Sequence, residues 1–315
     1  MTAARSIAPV RPHVSRTPAG RSNAPYTAFV LSGGASLGAL HVGMLRALYE
    51  RGIVADVLVA TGLGALNAAF VASRPQTPAT AGELARVWCG IQREDVFPVS
   101  VRTLVGGFSG QRNHLVSDLA LRRQARRYIE FEDLAEAPVP LHLLAFDVIE
   151  GREQLLSEGP ALDSIAAAAA LPGVFPPVSI GERRLIDGSV VNNTPISHAV
   201  ALGAERIYIL PTQERWHPLG RAPYGALDAA IYGIGLHVDG RLRADIARYS
   251  RDAELVALPA PNSLPVQPTD FDHAGRLIGE AHTASRVLLD RDDAAARHLS
   301  LIASDQYQGV LGRAS

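Results

Sequence analysis

The residue types and spacings that could do chemistry lie in three short turns. The first is Ser32-Gly33-Gly34-Ala35-Ser36-Leu37-Gly38, directly after the apolar run Thr27 to Leu31. A glycine-rich turn between a strand and a helix leaves backbone N–H groups free at the helix start, and these stabilise negative charge. One use is to bind a dinucleotide pyrophosphate. The other is an oxyanion hole, where the same amides hold the tetrahedral intermediate of acyl transfer. The dinucleotide fingerprint fails at its middle glycine, because the order is Gly33, Ala35, Gly38. Asp56 also stands at the entrance of the next strand rather than at its exit, where a ribose would be met. This turn alone does not choose between the two uses.

The second turn does. Leu58-Val59-Ala60-Thr61-Gly62-Leu63-Gly64-Ala65 reads as a strand, a sharp turn and a helix of small residues. That is the layout of a nucleophile elbow, G-x-S-x-G, in which strand and helix approach closely and the tip residue projects over the sheet edge. Ala60 stands at the first glycine of the pattern, Thr61 and Leu63 flank the tip, and Gly64 keeps the last glycine. The tip itself, where serine is required, is Gly62. The third turn, Ile186-Asp187-Gly188-Ser189, supplies a carboxylate.

The elements that must position these turns follow from the apolar pattern. Thr27–Leu31 and Val57–Ala60 read as buried strands. A helix carrying Leu40, Met44, Leu45 and Leu48 runs to Arg51-Gly52, and a small-residue helix spans Ala65 to Ser73. A βαβα unit of this kind predicts a parallel sheet. Helices are expected over Leu84–Cys89, Leu115–Tyr128 and Ile165–Leu171, the last ended by Pro172. Arginines 122, 123, 126 and 127 are read as the solvated side of the second of these. Leu141–Phe146 turns at Glu150-Gly151-Arg152 into a return strand. Val178–Ile180 and Arg184–Ile186 form a hairpin that Asp187-Gly188-Ser189 is expected to close. Ile207–Leu210 and Leu255–Leu258 are further strands, and Pro98–Asn113 is the least regular stretch.

The three turns together resemble the patatin-like phospholipase family, over about Ala28 to Leu210. Gly64-Ala65-Leu66-Asn67-Ala68 supports the match. So do Ala170-Leu171-Pro172-Gly173-Val174-Phe175-Pro176-Pro177 and Asn193-Thr194-Pro195 with Ala199 and Gly203-Ala204. The resemblance implies a three-layer α/β/α sandwich with a mostly parallel central sheet. It implies an oxyanion hole from Gly33, Gly34, Ala35 and the amides to Gly38, and a serine nucleophile at the position of Gly62. Its general base would be Asp187, in a D-G-[GA] turn that here ends in Ser189. The substrate class is a fatty-acyl ester of a phospholipid or neutral lipid, cleaved by a Ser–Asp dyad without histidine. The basic residue often found in the glycine-rich loop is Leu37 here.

Glycine cannot form an acyl-enzyme, and losing a nucleophile costs several orders of magnitude in rate. Hydrolysis is therefore expected to be absent or strongly impaired, with a fatty-acid- or lipid-binding pseudoenzyme as the alternative. Thr61 is expected to point elsewhere on the turn. Ser36 and Ser189 are nearer in sequence but sit at no elbow. A water in the vacated space, activated by Asp187, would give weak direct hydrolysis.

Composition narrows the field. There is no lysine among the 315 residues, which excludes a P-loop lysine, a Schiff-base lysine and a lysine base. A single cysteine excludes an intramolecular disulfide framework and Cys-based metal sites. The formal charge of −1 gives no electrostatic case for nucleic acid. The ten histidines show no convincing partner spacing. His41 and His198 are expected on helix surfaces or in satisfied core positions, and His273 and His282 on a C-terminal helix. No metal and no organic cofactor is implied. The first 24 residues carry scattered arginines and prolines without the apolar core of a secretory signal. The most apolar stretch, Val57 to Ala72, is broken by glycines and falls short of the about 20 residues of a spanning helix. The expectation is a basic tail over 1–25 and a single domain over 26–315. Its setting would be cytoplasmic, with transient contact at a membrane surface.

Overall fold

Three of the expected strands, over 27–31, 57–60 and 207–210, are buried along their length because their runs are too apolar to face water on either side. The computed structural model describes residues 24–98, 113–212, 238, 240–261 and 269–290. The expected basic tail, except for its last two residues, and most of the stretch 98–113 lie outside the described residues.

The strands are β1 (Thr27–Leu31), β2 (Val57–Ala60), β3 (Leu141–Asp147), β4 (Arg152–Leu156), β5 (Val178–Ile180), β6 (Arg183–Asp187), β7 (Arg206–Leu210) and β8 (Glu254–Ala257). They form one sheet in the order β5-β6-β3-β2-β1-β7-β8, with β4 also paired to β3. The run β3-β2-β1-β7-β8 is parallel, and β4, β5 and β6 are antiparallel additions. The molecule is therefore a mixed α/β fold around a mostly parallel central sheet.

Alternation along the strands divides two apolar cores. Phe29, Leu31, Leu58, Ala60, Tyr208 and Leu210 face the larger one. Ala28, Val30, Val57, Val59, Ile207 and Ile209 face the smaller one. The larger core is covered by α1 (Ala39–Tyr49), α2 (Gly64–Ala72), α3 (Pro78–Gly90), the short α4 (Arg93–Val96), α5 (Leu119–Tyr128), α6 (Ala161–Ala168) and, from the far end of the chain, the last described helix, Ala274–Leu289. The smaller is covered by α7 (Ile196–Ala201) and by Leu242, Ile246 and Tyr249 of a helix over 240–249.

Several boundaries differ from expectation for identifiable reasons. The helix expected over 84–89 is the second half of α3. It starts at Pro78 because Thr77 caps it, accepting a hydrogen bond from Thr80 N at 3.4 Å. The arginine-bearing helix starts at Leu119, not Leu115. Arg123, Arg126 and Arg127 on it are exposed, while Arg122 is half-buried between Asp118 and Asp163, at 2.5 Å from each. The alanine-rich helix, expected over 165–171, is α6 and ends at Ala168. Its terminal carbonyls are taken by other segments, as described below. Asp187-Gly188-Ser189 does not close the β5–β6 hairpin, which turns at Gly181-Glu182. Asp187 is the last residue of β6, and Gly188–Val190 is a separate 3-10 turn.

Candidate active site

Strand pairing brings the second and third turns together. β2 pairs with the first half of β3 and stops at Ala60, beside Leu143. β6 runs the opposite way, pairs with the second half of β3 and stops at Asp187, beside Ala145. β4 occupies the other edge of β3 along both halves, opposite Leu143 as well as Ala145. β2 and β6 therefore share one edge of β3 and meet end to end. The turn Thr61–Leu63 and the carboxylate of Asp187 emerge at that junction.

The elbow is held by backbone. Thr61 N donates to Leu31 O at 3.2 Å, Gly62 N to Ala168 O at 2.9 Å, and Ala65 N to Gly62 O at 3.1 Å. Asp187 N donates to Ala170 O at 2.9 Å. The carbonyls that leave the end of α6 thus bind the elbow and the aspartate strand at once, which satisfies acceptors that a helix end leaves open. Leu63 stands at the N-cap of α2, and Ala60 is fully buried beneath the turn. Gly64 lies so close to the end of β1 that a Cβ there would come within 2.5 Å of Ser32 O.

Gly62 has φ +57, a conformation glycine adopts freely and other residues adopt only with strain. A Cβ built on it would point toward Asp187, 3.6 Å from Oδ2. It would also lie only 2.7 Å from Gly33 Cα. The glycine-rich turn has closed onto the elbow tip, so part of the space a serine side chain needs is already filled.

That turn is gripped from both sides. Gly33 N donates to Asn193 O at 3.3 Å. Gly33 O accepts from Thr212 Oγ1 at 2.6 Å and from Asn193 Nδ2 at 3.2 Å. Ser32 Oγ and Thr194 Oγ1 are 2.8 Å apart. The Asn193-Thr194-Pro195 segment is therefore a clamp on the turn. At its far end Asn67 donates to Gly38 O at 2.9 Å, accepts from Trp88 Nε1 at 2.8 Å, and lies 3.2 Å from His41 Nδ1. The four residues expected to line an oxyanion hole divide accordingly. The Gly33 amide is already bonded, and Gly38 closes the 3-10 turn Ala35–Gly38. The amides of Gly34 and Ala35 have no acceptor among the described residues. Ala35 has φ +51, which costs about 1–2 kcal/mol for a residue with a Cβ.

Asp187 is 4% exposed. Its Oδ1 accepts from Ser189 N at 2.8 Å and from Thr61 Oγ1 at 3.3 Å. Burial pushes its carboxyl up to about 6, against the opposing pull of hydrogen bonds from Ser189, Thr61 and Gly62. Thr61 thus corrects an expectation: its hydroxyl does not point elsewhere but reaches the aspartate, because β6 docks in line with β2. It is 0% exposed and also donates to Leu144 O at 3.2 Å, so it positions the carboxylate and is sealed from substrate. Ser36 is buried at 1% exposure, whereas Ser189 is partly exposed.

Among the described residues no histidine hydrogen-bonds Asp187. His41 is enclosed in the core, where burial depresses its imidazole to about 3. His198 pairs with Glu153 at 2.6 Å, and His282 with Glu50 at 2.8 Å. Among the described residues no group of His, Cys, Asp and Glu could hold a metal ion, and no helix is long and apolar enough to cross a membrane. Thr212 and the side chain of Asn193 are the residues the sequence did not mark. The one signal for Thr212 is its place just past the end of a buried strand, at the sheet edge where α/β folds gather their sites.

Known proteins are similar to this chain. Lysophospholipase NTE1 of Mycosarcoma maydis is 26% identical over 186 residues, 57% of this chain and 9% of that one. An uncharacterized NTE family protein of Mycobacterium tuberculosis is 29% identical over 191 residues, 58% of this chain and 29% of that one. This chain therefore spans less than a third of the length of either relative. The solved structure of VipD from Legionella pneumophila superposes with a TM-score of 0.43 at 11% identity, over 85% of this chain and 67% of that one. The family model described as patatin-like phospholipase matches residues 29–200, more than half of the chain and all three turns from Gly33 to Asp187. By that match the chain belongs to the patatin-like phospholipase family.

Proposed function

We propose that this chain is a lipid acyl-ester hydrolase scaffold in which the elbow no longer supplies a nucleophile, so that hydrolysis by the elbow route is lost. The observation that carries this reading is the direction of the tip: a Cβ on Gly62 would lie 3.6 Å from Asp187 Oδ2. A serine Oγ one bond further would come within hydrogen-bonding reach of that oxygen, the arrangement a nucleophile and its base require. Asp187 would take the hydroxyl proton and later return it to the leaving alcohol. The free amides of Gly34 and Ala35 would hold the developing oxyanion. With glycine at the tip the first of these steps has no hydroxyl to act on there.

A second reading, a non-catalytic binder of fatty acid or lipid with transient membrane contact, is favoured by the closure of Gly33 onto Gly62. It predicts acyl chains in a lipid extract of the purified protein, read by mass spectrometry.

The primary test is p-nitrophenyl butyrate and octanoate hydrolysis by the chain, by Gly62→Ser and by Gly62→Ser/Asp187→Asn. Activity should rise in Gly62→Ser and vanish in the double variant. A folded Gly62→Ser protein with no gain over the parent sinks the reading.

A further inference from the structure

We infer that Ser189 is a relocated nucleophile, its Oγ attacking the acyl carbonyl of a carboxylic ester held at this site. The inference rests on the reading of Asp187 and the glycine-rich turn given above, and goes beyond it by supplying the hydroxyl the elbow lacks.

The hydroxyls around the junction can be compared one by one. Ser32 is buried and paired with Thr194, and Ser36 is buried. Thr61 touches Asp187 but is fully enclosed. Thr212 is buried and donates to Gly33 O. Ser189 alone among these is partly exposed and lies two residues from Asp187, in the turn that the carboxylate organises. Its backbone is pinned as well, through Ser189 N to Asp187 Oδ1 at 2.8 Å. It also faces the right wall. A Cβ on Gly33 would lie 3.1 Å from Ser189 Cβ and 3.4 Å from Gly62 Cα, so Ser189 and the elbow tip flank the same glycine. The unbonded amides of Gly34 and Ala35 follow directly along the chain. The departures from the family pattern are complementary: serine is absent at the elbow and present in the aspartate turn.

The step balances without a co-reactant other than water. Asp187 accepts the Ser189 Oγ proton as the Oγ–C bond forms, and the carbonyl electron pair moves to the oxygen facing the Gly34 and Ala35 amides. The carbonyl re-forms, the bond to the alcohol oxygen breaks, and the departing alkoxide takes the proton from Asp187. Water, deprotonated by Asp187, then attacks the acyl-serine. Carboxylic acid leaves and Oγ recovers the proton. The sum is ester plus water to acid plus alcohol.

The test treats the full chain with a fluorophosphonate, maps the adduct by proteolysis and mass spectrometry, and measures p-nitrophenyl butyrate hydrolysis. Ser189→Ala and Gly62→Ser/Ser189→Ala are run beside it. The expected result is one phosphonyl adduct on Ser189, lost in Ser189→Ala together with about 10²-fold or more of the turnover. An unlabelled parent, an adduct elsewhere, or unchanged turnover in Ser189→Ala overturns the inference. Because the mapping is done on the unaltered chain, it does not depend on a variant folding. Should the parent stay unlabelled, the double variant separates the failures. Labelling at position 62 leaves the reading of the site standing while Ser189 falls, and no labelling there either takes the reading down with it.

Discussion

The turn after β2 and the turn after β6 meet at one point, yet they are held by opposite means. The elbow is held by main-chain hydrogen bonds to Leu31 and Ala168 and by the close approach of Gly64 to the end of β1. None of these uses a side chain at the tip. The aspartate turn is organised around its own side chain, since Asp187 Oδ1 receives both the Ser189 amide and the Thr61 hydroxyl. A nucleophile can therefore disappear from the elbow with the elbow's shape intact, whereas the carboxylate cannot be changed without loosening the turn that presents it. On the proposed reading, the fold tolerates loss of the nucleophile far better than loss of its base.

The largest expected effect breaks this asymmetry at its chemical end. In a Gly62→Ser background, Asp187→Asn should cut ester hydrolysis by about 10²–10⁴-fold, the usual worth of a positioned general base. Steady-state rates on p-nitrophenyl esters measure it. Retained activity would mean that the carboxylate is a structural pin only.

Next in size is a test of how tightly the elbow has closed. Gly62 and Gly173 both have positive φ, +57 and +78, but only Gly62 has a neighbour in the way. Gly173→Ala should cost about 1–2 kcal/mol, the backbone term alone. Gly62→Ala should cost about 2–4 kcal/mol, because overpacking against Gly33 Cα adds to it. Urea unfolding of the two variants gives the difference. Equal costs would show that Gly33 yields freely, and that the closed turn is no obstacle to a serine.

The same division decides what could be read from sequence. β1 and β2 were legible to the residue, since short aliphatic runs bounded by glycine-rich turns specify themselves locally. The elbow and Asp187 were legible as motifs, for they too are local. The end of α6 was not. Pro172 limits the helix without fixing its last residue, and the final turn is given up to distant segments, with Ala168 O and Ala170 O bonded by the Gly62 and Asp187 amides. The contact of Thr61 with Asp187 is not legible for a related reason. Local geometry says which way a turn residue faces, but only the end-to-end meeting of β2 and β6 says that an aspartate waits there. Thr212 carries no mark beyond its place past the end of a buried strand, because its role is a hydrogen bond to a carbonyl 179 residues away.

A smaller effect sharpens the comparison through pH. Folding raises the Asp187 carboxyl from 3.8 to about 6, so the folded state holds this proton more tightly than the unfolded chain. The group's contribution to stability is then fully present below pH 3.8 and is lost as pH rises through about 6. The loss is of order 3 kcal/mol. Asp187→Asn should remove it, so the difference in Tm between the parent and this variant should shift in favour of the variant between pH 4 and 6, within the window set by those two values. The activity of Gly62→Ser should climb over the same range, as the base loses its proton. A pH-independent difference in Tm would mean that the buried carboxylate is stabilised as an anion by its donors, and that burial does not dominate.

The smallest effect tests what holds the glycine-rich turn against the elbow. Thr212→Val removes the 2.6 Å hydrogen bond to Gly33 O but leaves Asn193 Nδ2 on the same oxygen at 3.2 Å. The cost should be modest, about 1 kcal/mol. The informative quantity is the coupling with Gly62→Ala. A turn freed on one side can retreat from the new Cβ, so the penalty of Gly62→Ala should be smaller in the Thr212→Val background by about 0.5–1 kcal/mol. Strict additivity would show that the resistance lies elsewhere, in the backbone pair between Gly33 N and Asn193 O. Coupling of the expected sign would make Thr212 the residue that holds the glycine-rich turn closed against Gly62. It would also mark Thr212→Val as the companion change that lets a restored serine fit.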